Sequence, residues 1–118
     1  MAVFDTNIII DHLLGVPEAQ RELAVQIKPS ISIITWMEVM AGTDEGDRAM
    51  TRTFLDEDCE VIPLDPVIAL QAVNFRQERR LKLLDAIILA TAYVRRTHLV
   101  TRDTLAFSAK DPLIRIPY

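Results

Sequence analysis

Apolar and polar positions follow two periods along this chain, and each change of period marks an element. Ala2-Val3-Phe4 is a short apolar run that meets Asp5-Thr6-Asn7. Those three polar types are poor inside strands and good at helix N-termini. A first strand is therefore expected to end at Asp5, with a helix from about Ile8 to Leu14 stopped by Gly15. Pro17 suits the first turn of a second helix reaching about Ile27, and Pro29 breaks the chain again. Ser30 to Ile34 alternates and carries isoleucines, which predicts a second strand. Thr35 is expected to cap a helix through Trp36, Met37, Glu38, Val39 and Met40 to Gly42. A polar helix follows over about Asp44 to Leu55, and Cys59 to Pro63 reads as a third strand. Asp65-Pro66 sets an N-cap before a proline and opens a helix to about Arg79. Asp85 begins a helix that is apolar on nearly every face through Val94, so it should be buried on most sides. His98 to Thr101 reads as a fourth strand and Leu113 to Ile116 as a last short one. Strands alternating with helices predict an α/β domain around a parallel sheet.

Composition narrows this picture. The chain has 118 residues, half of them hydrophobic, which suits a single domain over 1–118 with a proper core. No linker, repeat or low-complexity segment divides it. The single cysteine, Cys59, excludes an internal disulfide and is expected as a small core or strand residue in a reducing cytoplasm. Asp5, Asn7 and Asp11 interrupt any signal-like apolar run at the start. The apolar stretch from Ala86 to Val94 is about half of what spans a bilayer. A cytoplasmic protein without a membrane role is expected. The 13 basic residues are outnumbered by 17 acidic ones, for a net charge of -4. Such a balance excludes nucleic-acid binding by bulk charge, so attraction to RNA has to be local.

Four acids stand out by placement. In open parallel sheets ligands bind beyond the carboxyl ends of the strands. Asp5 lies just past the first strand and Asp103 just past the fourth. Glu38 is one turn into the helix after the second strand, and Asp85 sits at the N-terminal end of an apolar helix. Strand C-termini and helix N-termini share one rim, so all four carboxylates are expected there. Two carboxylates at about 4 Å repel by about 4 kcal/mol at an effective dielectric near 20. A cluster must take up protons or bind a cation. Oxygen-only ligands select Mg²⁺ or Mn²⁺. His12 and His98 read as structural, which sets aside zinc and Ser-His-Asp chemistry. Asp44, Glu45, Asp47, Asp56, Glu57, Asp58 and Glu60 read as a solvated face. Asp11, one turn beyond Asn7, reads as either a support of the cluster or a surface charge.

Four segments carry a resemblance. Val-Phe-Asp-Thr-Asn-Ile-Ile-Ile-Asp, Ser-Ile-Ile-Thr-Trp-Met-Glu-Val-Met-Ala-Gly, Leu-Asp-Ala-Ile-Ile-Leu-Ala-Thr-Ala and Leu-Val-Thr-Arg-Asp resemble, in order and spacing, the motifs of PIN-domain ribonucleases. The nearest subgroup is the VapC-type toxins of bacterial toxin–antitoxin pairs. The resemblance implies a three-layer α/β/α sandwich around a mainly parallel sheet. It implies Mg²⁺- or Mn²⁺-dependent endonuclease cleavage of RNA, a homodimer and a neutralising antitoxin partner. Carried over by motif position, Asp5, Glu38 and Asp85 become catalytic acids, with Thr6, Asn7 and Thr101 orienting them. The run Thr101 to Phe107 departs from the common pattern: Ala106 stands where an acid often does, so Asp103 is the candidate fourth acid. Leu84 stands where a proline often precedes the third-motif aspartate.

The chemistry this predicts is phosphodiester hydrolysis. Asp5, Asp85 and Asp103 are the candidate metal ligands, and Glu38 is the candidate base or holder of water. Arg79, Arg80, Lys82 and Arg102 are candidate phosphate contacts. Trp36 and Tyr93 are stacking candidates for RNA bases, although core packing accounts for both. One rival is a phosphoaspartate domain with Asp5 as acceptor, for which Lys110 is a poorly placed lysine. Another is a non-catalytic interaction module on the same fold.

Overall fold

The structure is a computed structural model and describes residues 1–118. Five short strands, β1 (Val3–Phe4), β2 (Ser30–Ser32), β3 (Glu60–Ile62), β4 (Leu99–Val100) and β5 (Ile114–Arg115), form one sheet in the order β3-β2-β1-β4-β5. Every neighbouring pair is parallel. Val3 sits centrally, paired with Ser30 on one side and Leu99 on the other. Parallel neighbours need crossover connections. Six helices serve the first three: α1 (Thr6–Leu13), α2 (Pro17–Ala24), α3 (Ile33–Ala41), α4 (Arg48–Thr53), α5 (Pro66–Arg79) and α6 (Leu83–Val94). The β4–β5 connection is a loop.

Strand periodicity sorts the core into two layers. Val3, Ile62, Leu99 and Ile114 point to one face, where they pack with Ile68, Phe75, Ile88 and Leu89 of α5 and α6. Phe4, Ile31 and Val100 point to the other, where they meet Ile8, Ile9, Ala19, Leu23 and Leu55. The result is the expected three-layer α/β/α sandwich with a parallel sheet. Helix α6 is buried along most of its length, as its apolar faces predicted. Cys59 is buried and unbonded, and burial pushes its thiol up to about 12. No helix is long and apolar enough to cross a membrane.

Several boundaries differ from the sequence reading, each for a local reason. The cap of α3 is Ser32, whose hydroxyl accepts the Ile34 N–H at 3.0 Å, so strand β2 ends there. Thr35 is inside the helix and fully buried. Helix α6 starts two residues before Asp85, because the Ala86 N–H already donates to the Lys82 carbonyl at 2.9 Å. Asp85 is therefore a first-turn residue. Helix α2 ends at Ala24, short of the β-branched Val25 and Ile27. The polar helix is broken into a 3₁₀ turn (Glu45–Asp47), α4 and a π-helical turn (Phe54–Asp58). Within this stretch the Thr53 hydroxyl donates back to the Ala49 carbonyl, and Leu55 is fully buried. Asp65 caps α5 as expected, accepting the Ile68 N–H at 2.8 Å.

Candidate active site

The strand ends and helix starts converge on Asp5. It follows β1 and is the N-cap of α1, with Oδ1 accepting the Thr6 N–H at 2.8 Å. Its Oδ2 accepts the Thr101 hydroxyl at 2.8 Å and the Asn7 amide at 3.1 Å. The Thr101 hydroxyl also accepts from the Asn7 amide at 3.2 Å and from the Asp103 N–H at 3.0 Å. Only 5% of Asp5 is exposed. Burial pushes its pKa up to about 6, outweighing the Thr101 and Thr6 donors that favour its charged form. The charges of Asp85 and Glu38 act in the same direction.

Glu38 reaches this rim from α3. Its Oε1 accepts the Thr6 hydroxyl at 2.6 Å. Having donated there, Thr6 offers its lone pairs to the Thr35 hydroxyl, 3.1 Å away. Asp85 is half-buried, and burial, then Asp103, then Glu38 raise its pKa, while Lys82 lowers it. Asp103 is thus brought beside Asp85. Its Oδ1 is engaged in the turn that follows, accepting the Leu105 and Ala106 N–H groups at 3.2 and 3.1 Å. All four acids expected on one rim are gathered there. The charges of Asp85 and Glu38 act on Asp5, and those of Asp103 and Glu38 act on Asp85.

The predicted cations separate into two groups. Arg79 is committed elsewhere: its guanidinium meets Asp111 at 2.9 Å and lies 4.4 Å from the Phe75 ring centroid. Arg80 ends α5 in the left-handed region, at φ 54°. Lys82 is exposed and electrostatically close to Asp85. Arg102 donates its backbone N–H to Asn7 Oδ1 at 3.2 Å, and its guanidinium grips both oxygens of Asp11. Trp36 packs against the core as expected, its indole N–H donating to Asp56 at 2.9 Å. Tyr93 does not, being 47% exposed and meeting only the edge of the Phe75 ring.

Three participants were missed or left open by the sequence. Thr35, expected as a cap, instead places its hydroxyl 3.1 Å from that of Thr6. Asp11, left open between a support of the cluster and a surface charge, is buried on the same face of α1 as Asn7. Tyr118, whose hydroxyl donates to Asp11 at 2.8 Å, gave no signal. A groove of about 930 Å³ lies at the opposite end of the sheet between Pro66, Leu70, Tyr93, His98 and Leu113. Charge, not concavity, distinguishes the acidic rim.

The donor set bears on which ion could fit. No three acids, histidines or cysteines close around a common point as a cage. The acids are neighbours whose charges oppose one another, and every donor is oxygen. That suits Mg²⁺ or Mn²⁺, which retain several waters and take one or two carboxylates, better than zinc or a calcium cage.

With this geometry described, comparison with known proteins decides the family. The model of the PIN domain matches residues 2–111. The chain belongs to the PIN-domain family. Among solved structures, a chain of a toxin–antitoxin complex from Klebsiella pneumoniae is 42% identical, with a TM-score of 0.90, covering 100% of this chain and 98% of that one. FitAcB from Neisseria gonorrhoeae is 24% identical at TM-score 0.79, covering 99% and 98%. VapBC2 from Rickettsia felis, bound to a DNA fragment from its promoter, is 17% identical at TM-score 0.77, covering 97% and 96%. The last two establish likeness of fold alone. No curated protein matches in sequence. The resemblance carried by the four motifs is borne out by the PIN match and by these neighbours.

Proposed function

We propose that this PIN-domain protein is a divalent-metal-dependent endoribonuclease and the toxin of a toxin–antitoxin pair. The observation that carries the reading is the buried Asp5, held at a pKa of about 6 with the charges of Glu38 and Asp85 turned on it. A cation is the neutralising partner that such a group lacks.

Asp5 and Asp85 would hold the ion, and Asp103, whose charge acts on Asp85, would hold water that the ion retains. When bound, the ion supplies positive charge to the scissile phosphate and lowers the pKa of attacking water. Asp5 is ionised above about pH 6 and so is ready to bind at neutral pH. Thr6, Asn7 and Thr101 fix both of its oxygens in place. Thr6 also fixes one oxygen of Glu38, which leaves the other to take a proton from water. Lys82 acts on Asp85 and, with Arg80 two residues before it, would hold RNA phosphates; Arg79, paired with Asp111, and Arg102, paired with Asp11, are removed from that set.

The antitoxin partner is supported by the Klebsiella pneumoniae neighbour, which comes from a toxin–antitoxin complex. A homodimer in the cytoplasm is part of the same reading. Incubation of the purified protein with structured RNAs tests the activity. Cutting is expected with Mn²⁺ and not with EDTA. Asp5→Asn should slow it by more than about a hundredfold, beyond the cost of losing an outer partner of a metal ligand. Cutting that is indifferent to EDTA and to Asp5→Asn would reject the proposal.

A further inference from the structure

Arg102 contributes little to the acid cluster through its own charge, but it links three elements. Its backbone N–H donates to Asn7 Oδ1, and the Asn7 amide donates to Asp5. Its guanidinium makes a two-pronged pair with Asp11, Nη2 to Oδ1 at 2.9 Å and Nε to Oδ2. The Tyr118 hydroxyl donates to that same Oδ2 at 2.8 Å. Burial and Asp11 push the Tyr118 phenol up to about 12, so it remains a donor. The Asp11 side chain is only 9% exposed, against 46% for Arg102. A fork-to-carboxylate pair with a third donor fixes direction as well as distance.

The residue being held is the middle one of the turn after β4. On one side of it Thr101 donates to Asp5, and on the other Asp103 donates its N–H to Thr101 and stands beside Asp85. We propose that Asp11 is a positioning residue of the acidic site: through Arg102, with Tyr118 as the third member, it fastens the turn of residues 101–103 to α1 and so sets where Asp103 stands relative to Asp5. The consequence for metal uptake rests on the nuclease reading above; the clamp itself does not.

Two measurements separate these. The first is amide hydrogen exchange by NMR at pH 7 without metal. In Asp11→Asn the Arg102 and Asp103 amides should exchange about tenfold faster, while the Leu89 amide in α6 is unchanged, because the opening is local. No acceleration at 102 and 103, or an equal acceleration at Leu89, would overturn the clamp. The second is Mn²⁺ affinity read by electron paramagnetic resonance. Asp11→Asn should weaken it about tenfold, the scale found for groups that orient a metal ligand. Arg102→Gln should do the same, and the double variant should be no worse than either single one. Unchanged affinity in Asp11→Asn, or losses that add, would overturn the positioning role. A wild type that takes up no Mn²⁺ would overturn the metal reading and leave the clamp to be decided by exchange alone. If Asp11→Asn does not fold, Tyr118→Phe carries both measurements at about two- to threefold amplitude.

Discussion

Asp5 accepts hydrogen bonds from three partners and still resists ionisation, because it is withdrawn from water and faces two other carboxylates. Its pKa rises from 3.8 to about 6 on folding. A carboxylate with a raised folded pKa costs stability when charged. The cost is absent below about pH 4, grows as pH rises and is complete above about pH 6, where it reaches about 3 kcal/mol. Asp5→Asn removes it. In EDTA, the stability of Asp5→Asn relative to wild type should therefore rise between pH 4 and pH 7, as read by urea unfolding at each pH. Saturating Mg²⁺ should reverse that gain by stabilising wild type alone. Asp5, Glu38 and Asp85 were legible in the sequence because each stands next to an apolar run whose end fixes its place on the rim. Asp11 was legible only as an open alternative and Tyr118 not at all, because their contact joins positions 107 residues apart. No local pattern encodes such a pairing.

At the scale of elements, the acids depend on where helices begin. Glu38 faces Thr6 only because α3 starts at Ile33, and that start is set by Ser32. Ser32→Ala should cost about 1 kcal/mol of stability, measured by urea unfolding, since it removes the cap of a helix whose first turn is buried. It should also reduce the Glu38-dependent activity, because the cap and the acid share one helix. The element order and the parallel sheet were readable from periodicity alone. The exact starts of α3 and α6 were not: Thr35 and Asp85 are both good cap residues, and the backbone chose Ser32 and Lys82 instead. The break of the polar stretch into 3₁₀, α and π turns also escaped, as it follows from fitting Leu55 into the core.

Over the whole molecule, a net charge of -4 means that RNA cannot be drawn in by overall attraction. Binding should rest on a few cations at the rim, so its salt dependence should be shallow and traceable to single residues. Lys82→Ala should lower the slope of log affinity against log salt by about 0.7, the value for one phosphate contact on a single strand. Arg79→Ala should leave that slope unchanged and reduce stability instead, because its charge is spent on Asp111 and the Phe75 ring. Fluorescence anisotropy with a labelled RNA over a salt series distinguishes the two. Composition could exclude bulk attraction, but only the structure separated Lys82, which acts on Asp85, from Arg79 and Arg102, which are paired with Asp111 and Asp11.

The proposed nuclease activity requires the acidic rim to be a divalent-ion site. Anomalous diffraction from crystals of the protein grown with Mn²⁺ near pH 7.5 tests it most directly. A manganese peak between Asp5 and Asp85 is predicted, absent in Asp5→Asn crystals grown alike. A rim without manganese, or an ion bound only elsewhere on the chain, would contradict it.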